Sequence, residues 1–218
     1  MKTLSKAVAV ASLLSAGIMS AQVANAEVSY NAAVVSDYVW RGTSQTDNGI
    51  ALQGGADYSH ESGASVGIWA SNVDFGTDDN IEYDIYAAYG FAAADLDLSV
   101  GFLSYNFDGE TDTTYEANFG VAKDAVSALV TIAVDAETDA GYTYLEGAYD
   151  MDLPQDLGLS LHLGYGIPEA SAADDVMDLA ATVGKSLEML DVAATVTYID
   201  ADGAEDDVLF FLTASKEF

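Results

Sequence analysis

The sequence predicts an all-β fold: a closed antiparallel up-and-down transmembrane β-barrel of about twelve strands, with ten as the alternative. Three observations predict it. Segments of roughly ten residues alternate polar with apolar side chains, as tilted membrane-crossing strands do. The connections between them alternate in length and acidity. The acids inside the segments share one face.

Residues 1–26, MKTLSKAVAVASLLSAGIMSAQVANA, read as a secretory signal, with Lys2 and Lys6 before a short apolar run and Ala24-Asn25-Ala26 as the cleavage site. The mature chain is then one domain, 27–218. It carries 4 of the 6 Lys+Arg and all 36 Asp+Glu, so its net charge falls to about −32 from −30. Such a charge argues against nucleic acid and against anionic membrane surfaces as electrostatic partners. The chain has no cysteine, which rules out disulfides and zinc–thiolate sites. It also has no phosphate loop, dinucleotide motif or metal-ligand spacing, so no cofactor is implied. Half of the residues are hydrophobic and 13 are tyrosines, which is no composition for a disordered chain.

In order, the first segment is 28–41, with Ser29, Asn31, Ala33, Val35, Asp37, Val39 and Arg41 on one face and Trp40 on the other. Segments 50–60 and 64–75 flank the turn HESG. Segment 81–92 alternates most plainly: Ile81, Tyr83, Ile85, Ala87, Tyr89 and Phe91 oppose Glu82, Asp84, Tyr86, Ala88 and Gly90. Segments 96–107, 114–123, 126–136 and 141–151 follow, with Asp97, Glu116, Asp135, Glu146 and Asp150 on the polar face. In 158–167, Leu159, Leu161, Leu163, Tyr165 and Ile167 oppose Gly158, Ser160, His162, Gly164 and Gly166. Segments 176–187, 190–200 and 207–218 complete the set. The last ends in Phe218, with Val208, Phe210, Leu212 and Ala214 on its parity, the aromatic ending that outer-membrane assembly machinery reads.

With the N-terminus periplasmic, the connections on the outer rim hold 15 acids and those on the inner rim six. Long loops on one rim and tight turns on the other are the asymmetry of an outer-membrane barrel. Twelve in-strand acids, from Asp37 and Asp57 to Asp191 and Glu217, share the polar face. Lys123, Lys185 and Lys216 fall on the apolar parity near the inner rim, where a long cation reaches lipid headgroups. Aromatic girdles are expected from Tyr38, Trp40, Tyr58, Phe91, Phe107 and Phe218. A soluble sandwich cannot bury so acidic a face, whereas a barrel lumen can hold water.

Arg41, the only arginine, is the first candidate site residue. It is read either as the cationic side of a constriction whose anionic side is Asp37, Glu82, Asp84, Glu116, Glu146 and Asp178, or as a neutraliser that lets acids crowd. The lumenal acids themselves either solvate the interior or set a cation preference. DDNIEYD (78–84) and DGETD (108–112) are weak calcium candidates that lack the twelve-residue loop pattern. Two further classes stand beside a channel. One is a closed structural or adhesive barrel, although no loop is long enough for a large plug and Gly90, Gly101, Gly164 and Gly166 suggest open space. The other is a hydrolase using His162 with Ser160, although His162 faces away from lipid.

SDYVWRGTSQT (36–46), ALQGGADYSHESG (51–63), GIWASNVDFG (67–76), EYDIYAAYGF (82–91) and the terminal SKEF (215–218) resemble the TorF-type family of outer-membrane porins of Gram-negative bacteria. The resemblance is dense over the first third of the mature chain and thin afterwards until the last strand. It implies an outer-membrane barrel that passes small solutes. From the barrel reading itself come outer-membrane lipid and lipopolysaccharide as expected partners, and from the acidic lumen small cations as expected solutes. It assigns no substrate residue by residue.

Overall fold

The computed structural model describes residues 26–109, 113–135, 141–169, 175–201 and 207–218. The expected signal lies outside them apart from Ala26, as do most of DGETD and parts of the outer-rim loops. Within them the chain forms β1 (Glu27–Val35), a short pair β2 (Val39–Trp40) and β3 (Thr43–Ser44), then β4 (Ala51–Ser59), β5 (Ala64–Asn72), β6 (Ile81–Ala93), β7 (Leu96–Phe107), β8 (Thr114–Lys123), β9 (Val126–Asp135), β10 (Gly141–Leu153), β11 (Leu157–Pro168), β12 (Val176–Ser186), β13 (Asp191–Ala201) and β14 (Asp207–Glu217).

β1 and β4–β14 make a closed antiparallel barrel of twelve strands, each paired with its sequence neighbour. Closure falls to β1, which runs from Glu27↔Ser59 to Val35↔Ala51 against β4 and from Asn31↔Glu217 to Val35↔Thr213 against β14. Phe218 N donates to Tyr30 O (2.8 Å) and extends the seam by one residue.

The rims differ as the sequence predicts. Inner-rim turns occupy 60–63, 94–95, 124–125, 154–156 and 187–190, and the outer-rim connection after β1 runs from 36 to 50. Ala94 and Asp95 both take positive φ (53° and 60°), the two-residue turn whose twist suits a hairpin.

The barrel is inverted relative to a water-soluble domain. Val34, Leu52, Ile68, Ile85, Phe102, Phe119 and Phe210 stand exposed on the outside. Glu82, Asp84, Glu116, Asn118, Thr131 and Asp178 are each at most 3% exposed inside. The period of two thus sorts side chains by solvent: apolar outward, polar inward. The lysines at positions 123, 185 and 216 do take the outward parity, and Lys216 Nζ lies 5.2 Å from the Phe218 ring centroid.

The first segment departs from expectation. Its wall strand stops at Val35, not Arg41. Ser36 ends it by donating its N–H to Leu212 O and accepting Leu212 N–H on Oγ, both at 2.9 Å, which uses up the seam. The chain then turns into the barrel. Tyr38 and Trp40 therefore join no lipid girdle: Tyr38 is 6% exposed and packs edge-on against Trp69 (5.5 Å), and Trp40 packs against Tyr105 (5.7 Å). Val35, Tyr38, Ala51, Trp69 and Val73 form an apolar core inside the tube, with Trp40, Tyr86 and Phe107 against it. Of the predicted girdle, Tyr58, Phe91 and Phe218 do face outward.

Gly63 closes the β4–β5 turn at φ 92°, and a Cβ there would run into the carbonyl oxygen of Gly90, whose N–H donates to Gly63 O (2.9 Å). Gly63→Ala is expected to cost about 1–3 kcal/mol, read as a lower urea midpoint of the refolded barrel.

Candidate functional site

The stretch VWRGTS explains itself as a miniature hairpin. Val39 pairs Ser44, Trp40 pairs Thr43, and Arg41-Gly42 form the two-residue turn with φ of 47° and 82°. A turn of this type needs positive φ at both central positions, which is why glycine follows the arginine. The neck of the hairpin is fastened by side chains. Asp37 Oδ1 accepts from Ser44 Oγ (2.6 Å) and Thr46 Oγ1 (3.0 Å), and Tyr38 N–H donates to Thr46 Oγ1 (3.0 Å). Asp74 N–H then ties the hairpin to the β5–β6 loop through Gln45 O (2.8 Å).

So built, the hairpin crosses the lumen. Tyr38 sits by β5 and β6, where its hydroxyl donates to Glu82 (3.3 Å). A Cβ on Gly42 at the tip would lie 2.9 Å from Ile199 Cβ on β13 and 3.1 Å from Asp178 Cβ on β12, so the tip abuts the far wall. The space left between hairpin and wall is a cavity of about 190 Å³.

Arg41 is the centre of this arrangement. Its guanidinium pairs with Glu116 on β8 (Nη1 to Oε1, 2.8 Å) and donates to the Tyr142 hydroxyl on β10. Its Cζ lies 4.0 Å from the Tyr144 ring centroid, 4.2 Å from Trp40 and 5.3 Å from Tyr142, all within cation–π range. Glu116 also accepts from the hydroxyls of Tyr142 (2.6 Å) and Tyr105 (3.3 Å). The pair is nearly dry, with side-chain exposures of 15% and 2%.

The remaining predicted residues also lie inside, in different company. Asp37 holds the hairpin neck. Asp178 accepts from Tyr144 (2.6 Å) and lies 2.9 Å from His162 Nε2, while His162 Nδ1 stands 3.9 Å from Glu146. His162 thus directs its two ring nitrogens to two acids and not to Ser160, its hydrolase partner in the sequence reading. Asp84, 1% exposed, has neither carboxylate oxygen hydrogen-bonded. Asn118 Nδ2, on the inward face of β8 next to Glu116, is likewise unpartnered.

Alternation alone did not point to Tyr105, Tyr142 and Tyr144, yet the signal was present. These tyrosines sit on the acidic parity, where aromatics are out of place unless they donate to acids. The inward glycines serve the same end. Gly164 leaves the room taken by the Tyr144 hydroxyl and Asp178, and Gly67 the room taken by the Tyr86 ring, so neither marks open space. A different wall, formed by β12, β13 and β14, is lined in its middle by hydroxyls beside Asp178: Thr182, Thr195, Thr197, Thr213 and Ser215 are buried there, with Thr182 and Thr195 hydroxyls 2.9 Å apart.

The calcium candidates split. Asp108 accepts the N–H groups of Asn80 and Ile81 (2.8 and 2.9 Å), which lowers its carboxyl below the usual range and occupies it at the outer rim. Asp79 remains at the rim with Thr77, whereas Glu82 and Asp84 point into the lumen. Among the described residues no three acids or histidines converge as metal ligands.

The architecture has solved counterparts. The KdgM porin superposes with a TM-score of 0.58 at 8% identity, over 87% of this chain and 98% of that one. A membrane protein solved in work on in-meso crystallization gives 0.57 at 13% identity, over 87% and 84%. Pseudomonas aeruginosa OprD gives 0.46 at 12%, over 88% and 66%. At these identities the likeness speaks for the fold. No curated protein matches the sequence. A family model described as "Bacterial protein of unknown function (Gcw_chp)" matches residues 20–216, and the chain belongs to that family.

Proposed function

We propose that the protein is a narrow outer-membrane channel for passive diffusion of small solutes, with a preference for cations. The observation that carries this reading is the lumen itself. Its inward face carries Glu82, Asp84, Glu116, Glu146 and Asp178, against the one arginine of the sequence, which is already paired with Glu116. Rings of acid set the sign of the ion a pore admits. The likeness to the KdgM porin and the TorF-type resemblance support the channel class, and the exposed apolar exterior supports a bilayer location. Export by a signal cleaved after Ala26, contact with lipopolysaccharide, and assembly through the Phe218 strand belong to the same reading.

Arg41 and Glu116 act here as the latch of a constriction. Because the guanidinium spends its contacts on Glu116 and the tyrosines, it offers little to an anionic solute. A hydrolase reading has no support from His162, whose Nε2 is committed to Asp178. A closed structural barrel is the reading that the hairpin favours as second, since it spans the tube.

Three measurements test this. In a planar bilayer under a KCl gradient, the refolded protein is expected to show small stepwise conductance with a reversal potential on the cation side. A folded barrel that carries no current under any voltage supports the closed structural reading instead. Ile85→Arg, on the outward face in mid-strand, is expected to cost about 2–4 kcal/mol in lipid vesicles, the depth-dependent cost of a cation facing hydrocarbon; an unchanged stability speaks against lipid around that strand. Trypsin in detergent is expected to spare the Arg41–Gly42 bond in the folded protein. Glu116→Ala, which strands a buried cation, is expected to speed that cut by about tenfold or more, giving fragments that mass spectrometry assigns.

A further inference from the structure

We infer that the pocket of Glu116, Tyr142 and Tyr144 is a recognition site for the guanidinium or ammonium head of a cationic organic solute, and that Arg41 occupies it as a tethered stand-in. The inference rests on the cation-channel reading and names the solute class for it.

The wall supplies a complete site for such a head. Glu116 gives the charge, the Tyr142 hydroxyl accepts a hydrogen bond, and the Tyr144 ring offers a face 4.0 Å from the cation's centre. Aromatic faces beside a carboxylate are how proteins hold organic cations. These three residues belong to the wall strands β8 and β10 and not to the hairpin. Only Trp40, the second ring 4.2 Å away, travels with Arg41.

The charge around the site exceeds what one arginine answers. On β6, Asp84 lies directly across from Tyr105, whose hydroxyl donates to Glu116. Asp84 is 1% exposed on the lumen face, and both of its oxygens lack a partner. Asn118 Nδ2, beside Glu116 on the same face, is a second unpartnered polar group. Buried polar atoms left without partners in a folded chain call for a ligand or water. Asp84 fits a second cationic or donor group on the same solute. An anionic solute fits badly, because the only arginine is already engaged and every other charged group near it is acidic or histidine. A bare metal ion fits badly too, since among the described residues no three ligating groups converge.

The hairpin is short, with two residues in each strand, and its backbone is tied at the neck and at Asp74. Its tip is held to the wall by the contacts of Arg41 with Glu116 and Tyr142 and by the packing of Trp40 on Tyr105. A cationic solute that takes the Glu116 site competes with the contacts that hold Arg41 there, and so frees the tip and widens the passage that Arg41 narrows.

The probe is agmatine, an aliphatic guanidinium amine, added to single channels in a planar bilayer, with sorbitol as the neutral control. In Arg41→Ala the site stands empty, so agmatine is expected to interrupt the current at a concentration about tenfold lower than it needs in the unaltered protein. Arg41→Ala/Glu116→Gln is expected to lose about tenfold of that potency. Equal potency in the unaltered protein and Arg41→Ala overturns the inference, as does an undiminished effect in the double variant or the same effect from sorbitol. Folding of each variant is checked by its heat-dependent gel mobility. If Arg41→Ala does not fold, Arg41→Lys takes its place, a weaker occupant from which agmatine gains potency a few-fold; unchanged potency there overturns the inference equally. The reversal potential in KCl, read on the same channels, separates the two ideas. Cation preference without agmatine interruption defeats the site alone, and agmatine interruption in a pore without cation preference defeats the channel's selectivity and keeps the site.

Discussion

Between β1 and β14 the backbone pairs run from Asn31–Glu217 to Val35–Thr213, and these few hydrogen bonds turn a curved sheet into a tube with no free edge. In the bilayer location proposed above, every unpaired amide would cost several kcal/mol, so there the seam would decide whether the fold exists at all. It also decides where the hairpin begins. β4 ends its pairing with β1 at Val35↔Ala51, at the same level as the end of the seam, so the chain has no wall left to follow. Fifteen residues, 36–50, must then go somewhere. The sequence sends Tyr38, Val39 and Trp40 down into the tube, where Trp69 receives Tyr38 and Tyr105 receives Trp40, while Ile50 at the end of the stretch stays exposed.

A lumen so acidic poses a problem that its single arginine cannot solve alone. Tyrosine hydroxyls do most of the work. Tyr38 donates to Glu82, Tyr86 to Asp57 (2.5 Å), Tyr105 and Tyr142 to Glu116, and Tyr144 to Asp178. A hydroxyl donor to a carboxylate forms a charge-assisted bond without adding a charge. The rings meanwhile fill space that water and longer cations would otherwise take. Hence the interior is packed, polar and rich in acids together.

Much of the barrel was legible in the sequence because alternation is a statement about solvent, and the two solvents here differ more than core and water do. Ile81 to Phe91 against Glu82 to Gly90 needs no tertiary information to read. The twelve segments and the inward parity of Glu82, Asp84, Glu116, Glu146 and Asp178 follow from the same rule. That rule failed at residues 36–41. Ser36-Asp37-Tyr38-Val39-Trp40-Arg41 keeps the alternation of a wall strand because a hairpin strand alternates too. What distinguishes them is the partner, and nothing local says that β4 resumes at Ala51. The Arg-Gly turn and the Ser44 and Thr46 hydroxyls were the available clues. Likewise the tyrosine–acid pairs depend on register between strands far apart in sequence, such as Tyr144 and Asp178, which no single segment reveals.

The threonine wall of β12–β14 faces carboxylates carried mainly by β6, β8 and β10. Across the tube, one side is rich in threonine hydroxyls, and the other in carboxylates with the tyrosines that donate to them. In the channel proposed above, a molecule in the tube would meet two unlike faces, like a coin in a slot. Its positive or donor-rich edge would turn toward the acids and its neutral edge toward the threonines. Passage would then be a matter of orientation as well as size, and two isomers of equal bulk and charge would cross at different rates if their donors sat on one edge in the first and on both in the second.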